Sequence, residues 1–273
     1  MSDWHTLDAP AKLNLALVVG PSRPDGKHEV ATVLERLTLA DTVSVSHGEM
    51  TRVTGFDDDT LVHAALEAIA NRADEDVRFQ ARIQKRIPVA SGLGGGSSDA
   101  AAALGLANSL LRTPLAAEEL DTIAASLGAD VPFFLRGGPQ LGTGDGTTLA
   151  ELALPRDYTV LLALPDGDAK TSTGDVYVAF DDRGGDAGFD ERRAHLLSAL
   201  ESLAAPSDLA GLPPNDLASS PLADELRRLG AFRADVTGAG PVAYGLFSDR
   251  DAAERARAAI GPRVAGTWIA KPA

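Results

Sequence analysis

The chain has 273 residues, 44% of them hydrophobic, a formal charge of −14 and no cysteine. That length and apolar content suffice for one large domain or two modest ones, and the missing thiols exclude disulfides and thiolate metal sites. The acidic balance, with its scattered basic residues, argues against a protein that grips a nucleic-acid backbone through clustered Lys and Arg.

The opening residues carry no basic start followed by an apolar core, so no secretory leader is expected. No apolar run approaches the ~18 residues a membrane helix requires. A cytoplasmic protein with neither membrane nor nucleic acid as partner is the expectation.

Residues 12–19 alternate as a strand, with Leu13, Leu15, Leu17 and Val19 on one face and Lys12, Asn14 and Ala16 on the other. A turn rich in Pro, Asp and Gly follows at 21–26. Residues 43–47 and 77–83 read as half-buried strands. Between them Leu61, Ala65, Ala68 and Ile69 share a helical face that begins near Asp59 or Thr60. A helix starts at Ser97 or Ser98 and runs to Leu110. The next has Thr113 as N-cap, Pro114 as first residue, Leu120, Ile123 and Leu127 on one face, and Gly128 as stop.

Residues 160–165 form a continuous apolar run that fits a buried strand. The glycines at 184–188 suggest a mobile loop. Helices are expected at 190–205, 221–229 (Ser220 cap, Gly230 stop) and 249–260 (Gly261 stop), and strands at 242–247 and 267–270. No internal repeat is visible. The mixture favours an α+β fold, divided near 149–156 into parts 1–150 and 151–273.

The most informative segment is PVASGLGGGSSDAA at 88–101. Gly92, Gly94, Gly95 and Gly96 precede a helix start, so backbone N–H groups can converge on an anion. The helix N-terminus adds partial positive charge, and the hydroxyls of Ser97 and Ser98 can cap the helix or reach phosphate and its metal. No Lys-Ser or Lys-Thr follows the glycines, so this is not a Walker A loop.

That segment resembles the central motif of the GHMP kinases, which include galactokinases, homoserine kinases and mevalonate kinases. PAKLNL at 10–15 and LGADVPFF at 127–134 resemble signatures of one group within them, the 4-diphosphocytidyl-2-C-methyl-D-erythritol kinases. VTGAGP at 236–241 is similar to the third glycine motif, and NDL at 215–217 to a short C-terminal signature. Family order is kept from residue 9 to about residue 247.

The resemblance implies a two-domain GHMP fold with the active site in the interdomain cleft. It also implies phosphoryl transfer from ATP, with Mg²⁺, to the 2-hydroxyl of a cytidine diphosphate-linked polyol, a step of non-mevalonate isoprenoid synthesis. Asp130 then takes the hydroxyl proton, Lys12 steadies the negative charge and Asn14 orients the acceptor. ATP would be held by Pro88, Ala90, Ser91, Gly92, Leu93, Gly94, Gly95, Gly96, Ser97 and Ser98, with Lys85 and Thr60 on the adenosine side. Ser98 is the implied Mg²⁺ ligand.

Two positions depart from the family. In RPDGKH at 23–28, His28 is retained for the cytosine edge but Lys27 replaces a stacking tyrosine. Thr60 stands where an asparagine is usual. Tyr177 matches the second aromatic of the base site and Thr173 its polar neighbour.

These departures leave two alternatives open. One is a GHMP kinase for another small alcohol such as homoserine or mevalonate, distinguished by whether CDP raises the melting temperature. The other is a nucleotide sensor without turnover, distinguished by the effect of Asp130→Ala on ADP release. Monomer and homodimer are both compatible with the sequence.

Overall fold

The computed structural model describes residues 3–167 and 172–273. Thr171, the first residue of the segment leading to Tyr177, lies outside them. In chain order the elements are β1 (His5–Ser22), β2 (His28–His47), β3 (Arg52–Thr54), α1 (Leu61–Arg72), β4 (Phe79–Gln84), α2 (Gly95–Leu110), α3 (Ala117–Leu127), α4 (Val131–Leu135), β5 (Gln140–Gly144) and β6 (Thr148–Glu151). They continue as β7 (Thr159–Pro165), α5 (Thr173–Asp182), α6 (Phe189–Glu201), α7 (Pro221–Arg228), β8 (Arg233–Val236), β9 (Ala243–Phe247), α8 (Arg250–Ile260) and β10 (Val264–Ala270). The residues cluster into two compact units, each discontinuous in sequence. One holds the stretch ending at Ala11, Ala40–Val89 and Gly94–Gly137; the other holds Lys12–Leu39, Ala90–Leu93 and Gly138–Ala273.

In the first unit, residues 42–47 of β2 pair antiparallel with β4, which pairs parallel with β3. Phe79, Ala81 and Ile83 alternate inward along β4, as a one-sided strand requires. α2 buries Ala100, Ala101, Ala103, Leu104 and Ala107, and its small residues let α1 pack closely. α1 is capped by Asp59, whose carboxylate accepts from Val62 N–H at 3.1 Å and His63 N–H at 3.0 Å. Thr60 occupies the cap position without making that bond.

Two helix starts differ from expectation. α2 begins at Gly95, earlier than Ser97, because Gly94 takes the left-handed conformation (φ 71°) and its carbonyl receives Ser98 N–H at 2.9 Å. α3 begins at Ala117, not Pro114. The side chain of Asn108 brackets Leu115, accepting its N–H at 2.8 Å and donating to its carbonyl at 3.3 Å, which ties up the preceding backbone outside a helix.

In the second unit, a four-stranded antiparallel sheet runs β10-β7-β9-β8. The predicted buried strand is β7, with Val160, Leu161 and Leu162 fully covered. α7 and α8 close one face around Leu226, Phe247, Ala253 and Ile260. α7 has the expected cap, Ser220 Oγ accepting from Leu222 N–H at 3.2 Å, while Asp249, expected as the first residue of α8, caps it instead, its Oδ1 accepting from Ala252 N–H at 2.8 Å. Residues 30–34 of β2 pair with β5, which forms a hairpin with β6.

The glycines at 184–188, expected as a mobile loop, form a tight turn between α5 and α6. Gly185 N–H donates to Phe180 O at 3.0 Å, and a Cβ at Gly185 would lie 2.4 Å from the Phe180 ring. Arg192 locks the turn, donating to Gly185 O at 2.9 Å, to Val19 O at 3.0 Å and to the Asp216 carboxylate at 3.0 Å. Among the described residues no helix is long and apolar enough to cross a membrane.

Candidate active site

The glycine-rich segment is divided between the units, Ala90–Leu93 belonging to the second and the residues on either side to the first. In the first unit its later part opens α2. Ser98 is 1% exposed there, and its Oγ has no hydrogen-bond partner among the described residues. An orphaned, buried hydroxyl on the first turns of a sixteen-residue helix, beside free-ended N–H groups, fits a phosphate oxygen or the cation that accompanies it. Among the described residues no cluster of three or more His, Asp or Glu is poised to hold a metal by protein groups alone.

Beneath this turn lies a charge triad that sequence reasoning did not find. Lys85 Nζ donates to Asp41 Oδ2 and, at 2.7 Å, to Asp99 Oδ2. Asp41 Oδ1 also accepts the N–H groups of Arg86 at 2.5 Å and Ile87 at 2.8 Å. Burial pushes the Asp99 carboxyl up to about 7, against the pull of Lys85 and with the help of Asp41's charge. Burial alone would lower Lys85, but its two carboxylate partners hold it above the ordinary value. Gly95 packs close to the triad: a Cβ there would sit 3.1 Å from Ile87 Cγ2, 3.2 Å from Lys85 Nζ and 3.3 Å from Asp41 Oδ2. The sequence singled out Lys85 for the adenosine side and carried Asp99 inside the glycine motif, but gave no sign of Asp41 or of the pairing.

In the second unit the earlier part of the loop meets the 236–241 segment. Ala90 has φ 60°, the one positive value outside glycine among the described residues. Gly92, at φ 82°, runs so close to Thr237 that a Cβ would fall 2.3 Å from its carbonyl oxygen. Ser91 is buried and its Oγ accepts Leu93 N–H at 3.3 Å, while Leu93 O receives Lys12 N–H at 2.9 Å.

Lys12 is only 3% exposed, and its ammonium donates to Asn14 Oδ1 at 2.5 Å. Asn14 Nδ2 donates to Thr32 Oγ1 at 2.8 Å, and Thr32 passes its own hydrogen to Ala16 O at 2.8 Å. Asn14 N–H reaches Thr237 Oγ1 at 3.1 Å. Gly238, at φ 58°, lies close to the ammonium: a Cβ there would be 3.2 Å from Lys12 Nζ. Asn215 holds that glycine segment, donating to Val236 O at 3.0 Å and Gly238 O at 2.7 Å. The NDL signature is thus a stitch between β1, through the Leu17–Asn215 bridge, and the third glycine motif.

Asp130, in the first unit, stands at the N-cap position of α4, with Pro132 in the first turn. It is half-buried, and its carboxylate is not used for capping.

The expected base-site residues gather in the second unit. His28 opens β2 and is 8% exposed. Its ring stacks on Tyr177 at 4.8 Å between centroids, with Phe180 edge-on at 5.9 Å. Nε2 lies 2.8 Å from Asp181 Oδ1 and 3.3 Å from Ser22 Oγ. The α5 helix that carries Tyr177, Phe180 and Asp181 was not expected: Gly174, Val176 and Val178 have weak helix propensity. It starts because Ser172 Oγ accepts Asp175 N–H at 3.1 Å, which leaves Thr173 exposed at its first turn. Lys27 points instead to the β5–β6 turn, where its ammonium donates to Asp145 Oδ2 at 2.5 Å.

The family model for the GHMP kinases N terminal domain matches residues 60–138, and that for GHMP kinases C terminal matches residues 194–265. A 4-diphosphocytidyl-2-C-methyl-D-erythritol kinase of Rhodococcus jostii (strain RHA1) is 38% identical, over 92% of this chain and 86% of the relative. A crystal structure of a 4-(cytidine 5'-diphospho)-2C-methyl-D-erythritol kinase superposes with TM-score 0.78 at 30% identity, covering 98% of both chains. The Methanococcus jannaschii mevalonate kinase shares the fold at TM-score 0.74 and 11% identity, over 99% of both chains. With its two domains of mixed helices and sheets, the chain belongs to the GHMP kinase family, in its 4-diphosphocytidyl-2-C-methyl-D-erythritol kinase branch.

Proposed function

We propose that this chain transfers the γ-phosphoryl group of ATP to the 2-hydroxyl of 4-diphosphocytidyl-2-C-methyl-D-erythritol, in the cytoplasm, as a step of non-mevalonate isoprenoid synthesis. The observation that carries the reading is Lys12. A buried ammonium, steered by Asn14 and tied by its own N–H to Leu93 O of the glycine loop, suits charge that develops during phosphoryl transfer.

Asp130 takes the proton of the attacking hydroxyl as the new O–P bond forms and the bond from the γ-phosphorus to the ADP oxygen breaks. Lys12 stabilises the negative charge on the reacting oxygens. Asn14, held by Thr32, orients the hydroxyl. The backbone from Pro88 through Ser97 supplies the converging N–H groups, and Ser98 would hold the Mg²⁺ that travels with the nucleotide and neutralises its phosphates. Thr60 and Lys85 serve the adenosine side, Lys85 through its aliphatic stem because its ammonium is shared by two carboxylates. His28, Tyr177 and Thr173 serve the cytidine. Lys27 reaches a diphosphate only by leaving Asp145.

The test is ADP release with four acceptors: the cytidyl polyol, homoserine, mevalonate and phosphomevalonate. Turnover is expected with the first alone, and Asp130→Ala should lower it by roughly 10²–10⁴-fold. Turnover confined to another acceptor would refute the substrate, and ADP release untouched by Asp130→Ala would remove the base.

A further inference from the structure

We propose that Asp181 is a positioning residue that fixes the tautomer of His28 and so makes the ring's other nitrogen an acceptor for an exocyclic amino group on the substrate base. The proposal rests on the cytidyl acceptor argued above and deepens it, from which residues meet the base to how cytosine is told from uracil.

A carboxylate only accepts, so the 2.8 Å approach of Asp181 Oδ1 puts the ring hydrogen of neutral His28 on Nε2. Ser22 Oγ, 3.3 Å from the same nitrogen, adapts to either role and does not oppose this. Nδ1 then carries a lone pair. Among the described residues no hydrogen bond to His28's side chain other than those two at Nε2 is present.

The stack on Tyr177 and the edge contact with Phe180 fix the plane of the ring, and a half-turn within that plane would carry Nε2 away from Asp181 Oδ1, so the carboxylate holds the ring's orientation as well as its hydrogen. Tyr177 and Asp181 lie four residues apart on α5 and so share a helix face, which lets one element set both the ring plane and the hydrogen. An acceptor at Nδ1 suits the amino group at C4 of cytosine. It repels the carbonyl oxygen that uracil carries there. Removing the half-exposed Asp181 leaves the buried His28 ring a remaining partner at Nε2 in Ser22 Oγ.

The experiment pairs ring-nitrogen NMR of His28 with calorimetric titration of CDP and UDP, on the wild type, Asp181→Ala and Asp181→Asn. The ligand-free wild type should show the Nε2–H tautomer and prefer CDP by at least about tenfold, the scale on which an unpaired polar group penalises a mismatched ligand. Asp181→Ala should give a tautomer mixture and bring the CDP-to-UDP ratio at least about fivefold closer to unity. Asp181→Asn, whose amide can donate to or accept from Nε2, should shift both readouts in the same direction. A wild-type ring found as Nδ1–H or doubly protonated overturns the proposal. So does a tautomer, or a CDP-to-UDP ratio, that survives both substitutions. The expected tautomer with no CDP binding at all overturns the cytidyl acceptor itself.

Discussion

A methyl group at position 92 would have nowhere to go. It would fall 2.3 Å from Thr237 O and 3.1 Å from Gly240 O, both backbone atoms that cannot swing aside, at a φ of 82° that L-residues avoid. Gly92→Ala should therefore cost roughly 2–4 kcal/mol of stability, measured as a shift of the urea midpoint. Gly105, inside α2 with open space at its Cβ, is the control: Gly105→Ala should stabilise by about 0.5–1 kcal/mol. An unmoved midpoint for Gly92→Ala would mean that the two segments do not pack this closely. The sequence made Gly92, Lys12, Asn14 and Ser98 nameable because each sits in a short local pattern. It could not show that Gly92 meets Thr237, that Lys85 is shared by Asp41 and Asp99, or that Asp181 faces His28. Those pairings join residues far apart in the chain, and each partner alone looks like an ordinary surface acid or threonine.

Long amphipathic helices and strongly apolar strands were legible because burial imposes a period, as in α1, α2, α8 and β7. The missed elements, β3, α4, α5, β5, β6 and β8, are short or poor in propensity and exist through tertiary contacts. The β5–β6 hairpin shows how such an element is tethered. Its turn residue Asp145 accepts from Thr147 Oγ1 at 2.6 Å and from Lys27 Nζ at 2.5 Å. Partial burial would raise its carboxyl, but those bonds outweigh it and hold the group at about 2, below its ordinary 3.8. A depressed carboxylate stabilises the fold above its unfolded value, and that stabilisation is lost as pH falls through the folded one. Lys27→Met should thus cost under about 1 kcal/mol at neutral pH, as for an exposed pair. The variant and the wild type should converge as the pH drops from about 4 towards 2. Denaturant midpoints across that range give the check, and a gap that persists at the acid end would show that Lys27 acts through packing instead.

At the scale of the whole molecule, 39 acidic residues against 25 basic ones oppose the approach of a polyanionic nucleotide. Net repulsion from dispersed surface charge acts at long range, and salt screens it within about 10 Å at 0.1 M. Recognition at the loop has a different range. Helix-terminal N–H groups and the buried Lys12 ammonium act at contact, where mobile ions do not intervene. The two contributions therefore respond oppositely to ionic strength, and the screened one is the unfavourable one. Raising NaCl from about 20 to about 200 mM should leave the KM for Mg·ATP unchanged or lower it. A protein that binds a phosphate chain through exposed cations instead loses affinity as the salt concentration rises. Steady-state KM measured at fixed free Mg²⁺ across the series decides between them. A KM that climbs steeply with salt would place the nucleotide on exposed cations rather than on the amides and hydroxyls of the glycine-rich turn.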